Sequence, residues 1–120
     1  MKRIIPAATA LALFALSVVQ VSAANSMLGT WHSPMRGYDV YLRIVEESDG
    51  KVKGSVLSVN TKTKASAGAL FLGTGSAKGF KFRFSNGNNY DLHKCAEGIC
   101  GKLNSYEGWT ENLTFRLRHK

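Results

Sequence analysis

Short runs of alternating apolar and polar residues, separated by turn residues, fill most of this chain. The clearest run, residues 80–84, reads FKFRF and is followed by Ser85-Asn86-Gly87-Asn88. Successive side chains of a β-strand point to opposite faces, and an Asn-Gly pair favours a tight hairpin turn. The run therefore predicts a hairpin with three phenylalanines on one buried face.

The same two-residue period recurs from Leu28 to Leu117, with almost no helical spacing. Ser48-Asp49-Gly50 and Ser105–Gly108 predict two further turns, and Asn60–Gly68 reads as the longest loop. About eight short strands with successive hairpins predict an all-β fold, an up-and-down antiparallel meander barrel. The expected inward residues are Val40, Leu42, Ile44, Val52, Val56, Leu72, Phe80, Phe82, Phe84, Tyr90, Leu92, Ile99, Leu103, Leu113, Phe115 and Leu117.

The first residues carry the pattern of a secretory signal peptide. Met1-Lys2-Arg3 precedes an apolar run from Ile4 to Val19, and Val21-Ser22-Ala23-Ala24 offers small residues for cleavage. We expect residues 1–23 to be removed, with Ala24 as the alternative end, which leaves 24–120 as a single domain. This predicts a periplasmic or secreted protein with no transmembrane segment after cleavage.

The two cysteines, Cys95 and Cys100, are separated by four residues that include Glu97-Gly98. Oxidising compartments keep paired thiols as disulfides, so export favours a disulfide across a hairpin. A zinc site would need four ligands and only His93 is close in sequence, while a redox site usually has the Cys-x-x-Cys spacing. No metal and no cofactor are expected.

The chain has a net charge of +8, with 16 basic and eight acidic residues. The predicted leader contains two of the basic residues and none of the acids, which leaves +6 for the rest. Strand parity places seven cations outward, and several of them could form a basic face for an acidic partner. They are Arg43, Lys53, Lys81, Arg83, Lys102, Arg116 and Arg118.

Gly29-Thr30-Trp31 on the first strand, together with Arg116 and Arg118 on the last, resembles the calycin superfamily of lipocalins, fatty-acid-binding proteins and avidins. In lipocalins a tryptophan at this position closes one end of the barrel, and an arginine from a late strand packs over it. The resemblance therefore implies a structural role for Trp31 and a cation-π role for Arg116 or Arg118.

Residues 95–103, CAEGICGKL, are also similar to the cysteine hairpin of small exported bacterial proteins of uncharacterised function that begin with Gly-Thr-Trp. Those proteins carry the hairpin earlier in the chain. This likeness implies an exported β-barrel and no particular activity.

An eight-stranded barrel is wide enough either to be filled by side chains or to hold one small ligand. The phenylalanines favour a filled interior, with a modest apolar pocket near one end as the alternative. The candidate ligand-binding residues are Tyr38, Tyr41, Lys81, Arg83 and Trp109.

Catalysis finds little support in the sequence. Asp91 and His93 share one strand face, but Tyr90 and Leu92 claim the inward side, so the pair should face solvent. We expect a binding module that recognises a protein or an anionic cell-envelope component through its loops and a basic face. We do not expect an enzyme. Inhibition of a secreted hydrolase is one form of this function, and a calycin-type carrier of a small apolar ligand is the alternative. Nucleic acid is not expected as a partner.

Overall fold

The computed structural model describes residues 26–120, so the predicted leader lies outside the described residues. These residues form eight β-strands. The strands are β1 (Gly29–Met35), β2 (Tyr38–Ser48), β3 (Lys51–Asn60), β4 (Ser66–Ser76), β5 (Gly79–Arg83), β6 (Asn89–Cys95), β7 (Gly98–Asn104) and β8 (Thr110–His119).

Each strand pairs antiparallel with the next, and β1 pairs with β8, so the sheet closes into an up-and-down barrel. The predicted fold class is confirmed. Strands β1, β3, β5 and β7 run towards what we name the upper end, where the segments 36–37, 61–65, 84–88 and 105–109 connect them to the next strand. The opposite end, with the segments 49–50, 77–78 and 96–97, is named the lower end.

The turns form where the sequence places them. Asp49 and Gly50 both have positive φ, the conformation that a two-residue hairpin turn requires and that Asp-Gly adopts readily. After β5 the Phe84 amide donates to the Asn88 carbonyl at 2.9 Å, and after β7 the Ser105 amide donates to the Trp109 carbonyl at 2.8 Å. Each turn therefore fixes the register of the hairpin that contains it.

Aromatic side chains fill much of the interior. Phe82 stacks between Phe71 and Tyr90, with ring centroids 3.8 and 4.8 Å away, and Phe80 and Phe115 are fully buried. The remaining buried hydrophobic residues are Met27, Trp31, Val40, Leu42, Ile44, Val52, Val56, Leu92, Ile99, Leu103 and Leu113. Burial of these side chains is the main stabilising contribution to such a fold.

Two of the expected inward residues are exposed. Leu72 is 57% exposed because Phe71, its neighbour, occupies the inward position opposite Gly54. In a run of four apolar residues, alternation cannot tell which parity is buried, and the missing side chain of Gly54 gives room for the Phe71 ring. Leu117 is 44% exposed because it lies at the lower end, past the buried Phe115.

The predicted long loop is also shorter than expected. Residues 66–68 pair with Val59, Ser58 and Leu57, so β4 begins at Ser66 and only residues 61–65 connect it to β3. The sequence did not predict this part of the strand, because its small and polar residues have low β-propensity and show no alternation of apolar and polar side chains. The sheet formed by β2, β3 and β4 is therefore longer than the sequence suggested.

Trp31 helps to close the lower end. Its indole Nε1 donates to the Met27 carbonyl at 2.8 Å, and both side chains are buried. Glu47 accepts a 2.7 Å hydrogen bond from the Met27 amide and a 2.9 Å bond from Ser26 Oγ. These bonds hold the segment before β1 against the barrel.

Cys95 and Cys100 form a disulfide across the β6–β7 hairpin, as predicted, with their Cα atoms 5.8 Å apart. Cys100 pairs with the outward His93, and Cys95 pairs with Gly98 next to the turn. The bond therefore lies on the outside of the barrel, where it constrains the lower end of the hairpin.

Substitution of Gly54 by alanine should destabilise the barrel strongly. A Cβ at this position would overlap the Arg43 carbonyl oxygen and approach the Phe71 ring to 3.0 Å. We expect Gly54→Ala to lower the free energy of unfolding by about 2 kcal/mol, the usual range for overpacking a core. Urea denaturation followed by circular dichroism measures this. Gly79→Ala is the matched control, because nothing lies within 4 Å of its added Cβ. Equal stability of the two variants would contradict the proposed packing of Phe71 against Gly54.

Candidate functional site

Five cations lie on the outer surface of β5, β7 and β8, and all five side chains are exposed: Lys81, Arg83, Lys102, Arg116 and Arg118. We name this set the basic face. Strands β5 to β8 contain two carboxylates, Asp91 on the outer surface and Glu111, which is bonded to Arg36 at the upper end. The outer surface of this half of the barrel is therefore strongly positive.

Asp91 interrupts the basic face without neutralising it. It pairs in register with Lys81 on one side and Lys102 on the other. Its carboxylate is 3.8 Å from Lys81 Nζ, and the two side chains are 51% and 76% exposed. Such an exposed ion pair contributes little free energy, so Lys81 can exchange it for another anion.

A cluster of Arg36, Glu111 and Trp109 lies at the upper end. Arg36 Nε donates to Glu111 Oε1 at 2.7 Å, and its guanidinium carbon is 4.2 Å from the centre of the Trp109 ring. Arg36 also has a positive φ of 48° in the β1–β2 turn. The sequence reasoning missed this cluster, because Arg36 and Glu111 are 75 positions apart and no local pattern joins them.

The candidate ligand-binding residues do not converge on one site. Tyr38 and Trp109 lie at the upper end, while Tyr41 is on the outer surface of β2, where its ring centre is 5.0 Å from that of His32. His32 in turn shares a 2.7 Å hydrogen bond with Asp39. Lys81 and Arg83 belong to the basic face on the other side of the barrel. Strand parity predicts whether each residue faces inward or outward, but it does not predict which residues of other strands lie beside it.

The cation next to Trp31 is Lys94, with Nζ 5.8 Å from the ring centre. Arg116 and Arg118 are exposed on β8, on the opposite parity to the buried Phe115, so their side chains point away from the indole. The arginine partner implied by the lipocalin resemblance is thus replaced by a lysine of β6. Trp31 itself is buried, as a structural residue should be.

Asp91 and His93 are both exposed, as expected from the inward orientation of Tyr90 and Leu92. Asp91 contacts Lys81, so the carboxylate is engaged with the basic face. The pair lies on an open surface, and the geometry gives it no enclosed space in which to act on a substrate.

A pocket of about 240 Å³ opens at the upper end, between β4 and the β5–β6 turn. It is lined by Val56, Ser58, Ala67, Gly68, Ala69, Phe84, Ser85, Asn86, Asn88 and Tyr90. Burial raises the pKa of the Tyr90 phenol to about 12, because the charged phenolate is disfavoured away from water. The lining thus combines apolar side chains such as Val56 and Phe84 with polar ones such as Ser58 and Asn88.

Cys95, Glu97 and Cys100 bring three potential ligand atoms within 4.8 Å of one another. Both sulfurs belong to the disulfide, so neither is available as the thiolate that a metal would bind.

In residues 26–120 the structure has no helix that is long and apolar enough to cross a membrane.

No family model matches the chain, and neither the curated proteins nor the solved structures include a match. The fold and its outer surface define a small eight-stranded antiparallel β-barrel with a disulfide hairpin, an architecture compatible with a calycin-like fold.

The buried phenol of Tyr90 predicts alkaline sensitivity. The folded state keeps this proton up to a pKa of about 12, whereas the unfolded chain releases it near the ordinary value of 10. The stabilisation is complete below pH 10 and is lost as the pH rises through 12, and it amounts to roughly 2–3 kcal/mol. Urea titrations between pH 9 and 12 should show that the Tyr90→Phe variant lacks this component of the decline. Parallel curves for the two proteins would contradict it.

Proposed function

We propose that the protein is a small exported binding module that recognises an acidic protein or an anionic cell-envelope component through its basic face and upper-end loops. The observation that carries the proposal is the charge distribution of β5 to β8, where the strands carry five exposed cations and one outward carboxylate, Asp91, and the turns add Glu97 and Glu107. A surface of one sign attracts and orients partners of the opposite sign.

The rigidity of the frame supports a binding role. The basic face lies on strands of a closed barrel, and the disulfide constrains β6 and β7 beneath it. Side chains held on rigid strands need little further ordering when a partner arrives, which lowers the entropic cost of binding. Inhibition of a secreted hydrolase is one concrete form of this function.

Export and membership of a calycin-like group are parts of the same proposal. The signal-peptide pattern of residues 1–23 supports a periplasmic or secreted location. The disulfide supports an oxidising compartment. The Gly29-Thr30-Trp31 opening and the barrel topology support the calycin-like relationship, as does the likeness of the cysteine hairpin to that of small exported bacterial proteins.

Charge reversal on β5 tests the basic face. We expect Lys81→Glu combined with Arg83→Glu to weaken binding to polyglutamate or to phosphatidylglycerol vesicles by about tenfold or more, since each basic residue near an anionic surface contributes about 1 kcal/mol. Sedimentation with vesicles and fluorescence anisotropy with labelled polyglutamate measure the two affinities.

Arg43→Glu combined with Lys53→Glu is the matched control, because it changes the net charge equally on β2 and β3, neither of which pairs with β5. Its affinity should be much closer to that of the unmodified protein. Equal losses in both variants would show that net charge alone matters and would refute a localised face. Preference for one of the two probes distinguishes an acidic polypeptide from a lipid surface.

The upper-end pocket favours a second candidate function, a carrier of a small apolar ligand. Its volume of about 240 Å³ is slightly below the usual range for ligand pockets, and the buried rings of Phe80 and Phe82 lie below it. Only a compact ligand would fit.

Native mass spectrometry of the purified protein tests this candidate by detecting a bound small molecule. Ala69→Trp should abolish the added mass, because Ala69 lines the pocket. Leu70→Trp should preserve it, because Leu70 is on the opposite face of the same strand. Absence of any added mass from the unmodified protein would count against a carrier.

A further inference from the structure

The outer surface of β2, β3 and β4 carries exposed hydrophobic residues that neither the basic face nor the upper-end pocket uses. Leu70 is 85% exposed, Val45 58%, Leu72 57% and Leu57 41%. We name these four residues the β4 apolar strip. Single exposed leucines are ordinary, whereas these four lie on neighbouring strands and form one apolar patch.

The extreme exposure of Leu70 follows from the strand pairing. β5 pairs with β4 only at Thr74, Gly75 and Ser76. Among residues 26–120, β4 therefore has a paired strand on one side only between Ser66 and Leu72, where Gly68, Ala69 and Leu70 pair with β3. This half of β4 forms a sheet edge, and its residues 66–70 are exposed on both faces.

The strip has the shape of a self-complementary surface. Leu70 projects between two shallow depressions on the outer face, of about 420 and 400 Å³. One is lined by Val45, Lys53, Gly54, Leu70, Phe71 and Leu72. The other is lined by Ser55, Val56, Leu57, Gly68, Ala69 and Leu70. A projecting leucine beside an apolar depression is what a two-fold interface requires, because each copy then supplies both the projection and the recess.

Charge also favours a second copy of this chain at the strip. The protein is strongly basic, so most contacts between two copies would bring like charges together. Residues 66–76 contain no charged side chain. Lys53, which pairs with Leu72 and lines one of the depressions, has its Nζ 3.8 Å from Glu46, so its charge is partly balanced within the same copy.

The available area indicates a reversible contact. A specific interface needs about 600 Å² on each partner. The four side chains supply roughly 250 Å² of apolar surface, if a fully exposed leucine or valine offers about 100 Å². The rest must come from the small residues and backbone of 66–69, so the interface lies at the weak end of the specific range.

We propose that two copies of this protein associate through the β4 apolar strip, with Leu70 of each copy entering a depression on the other. This association goes beyond the binding function of the basic face and does not depend on it. Because it is apolar, it should persist at high salt, where binding to anionic probes is lost.

Sedimentation velocity of the purified protein, from about 1 µM to about 100 µM, should show a concentration-dependent monomer–dimer equilibrium. Leu70→Lys should raise the dimer dissociation constant by at least about tenfold, because a buried, unpaired charge is costly. Leu72→Lys should act in the same direction. Leu117→Lys is the matched control, since Leu117 is an exposed leucine on β8, away from the strip, and it should leave the equilibrium unchanged.

A protein that stays monomeric at every concentration would overturn the proposal, as would a dimer that Leu70→Lys and Leu117→Lys affect equally. A monomer that binds neutral phosphatidylcholine vesicles through Leu70 would assign the strip to a lipid surface and would also overturn it. The dimer is measured without any anionic probe, so its failure is separate from failure of the basic-face proposal.

Discussion

Closure of the hydrogen-bonded ladder is the constraint on which the rest of this structure depends. Once β1 pairs with β8, every strand has a fixed inner and outer face, and a slip of one residue would exchange them. The basic face, the buried aromatic stack and the outward disulfide are all consequences of the same register. A closed ladder also removes most of the free sheet edge, and the upper half of β4 is where the described barrel retains it.

Packing inside the barrel depends on large side chains that lie opposite glycine residues. Phe71 enters opposite Gly54, and its ring then stacks on Phe82, which contacts Tyr90 in turn. A single glycine on β3 thus determines which residue of β4 is buried and, by parity, leaves Leu70 and Leu72 outside. The burial of Phe71 in the core and the exposure of Leu70 and Leu72 in the β4 apolar strip therefore have the same cause.

Much of the fold could be predicted from the sequence, because a period of two and strong turn residues are local signals. FKFRF with its Asn-Gly turn, and the cysteine hairpin, have the predicted hairpin structures. The failures have a common physical cause. Leu72 lies in an apolar run with no alternation, and Ser66–Gly68 lack β-propensity, so only pairing with β3 defines them.

The candidate sites were less predictable, since they depend on contacts between distant strands. Parity alone placed Lys81 and Arg83 outward, but it could not show that Asp91 lies beside Lys81. Nor could it predict that Arg36 packs over Trp109, or that Lys94 lies near Trp31 in place of the expected arginine. Such neighbours follow from the number of strands and their stagger, which no short motif encodes.

The two ends of the barrel differ in how much of their chain is buried. At the lower end Met27 and Trp31 are buried, and the Cys95–Cys100 bond joins adjacent strands covalently. At the upper end the segment 61–65 is wholly exposed beside a pocket. Changes of sequence and length should therefore be tolerated more readily above than below. Related barrels could then acquire different partners by altering their upper segments, while the lower end preserves the fold.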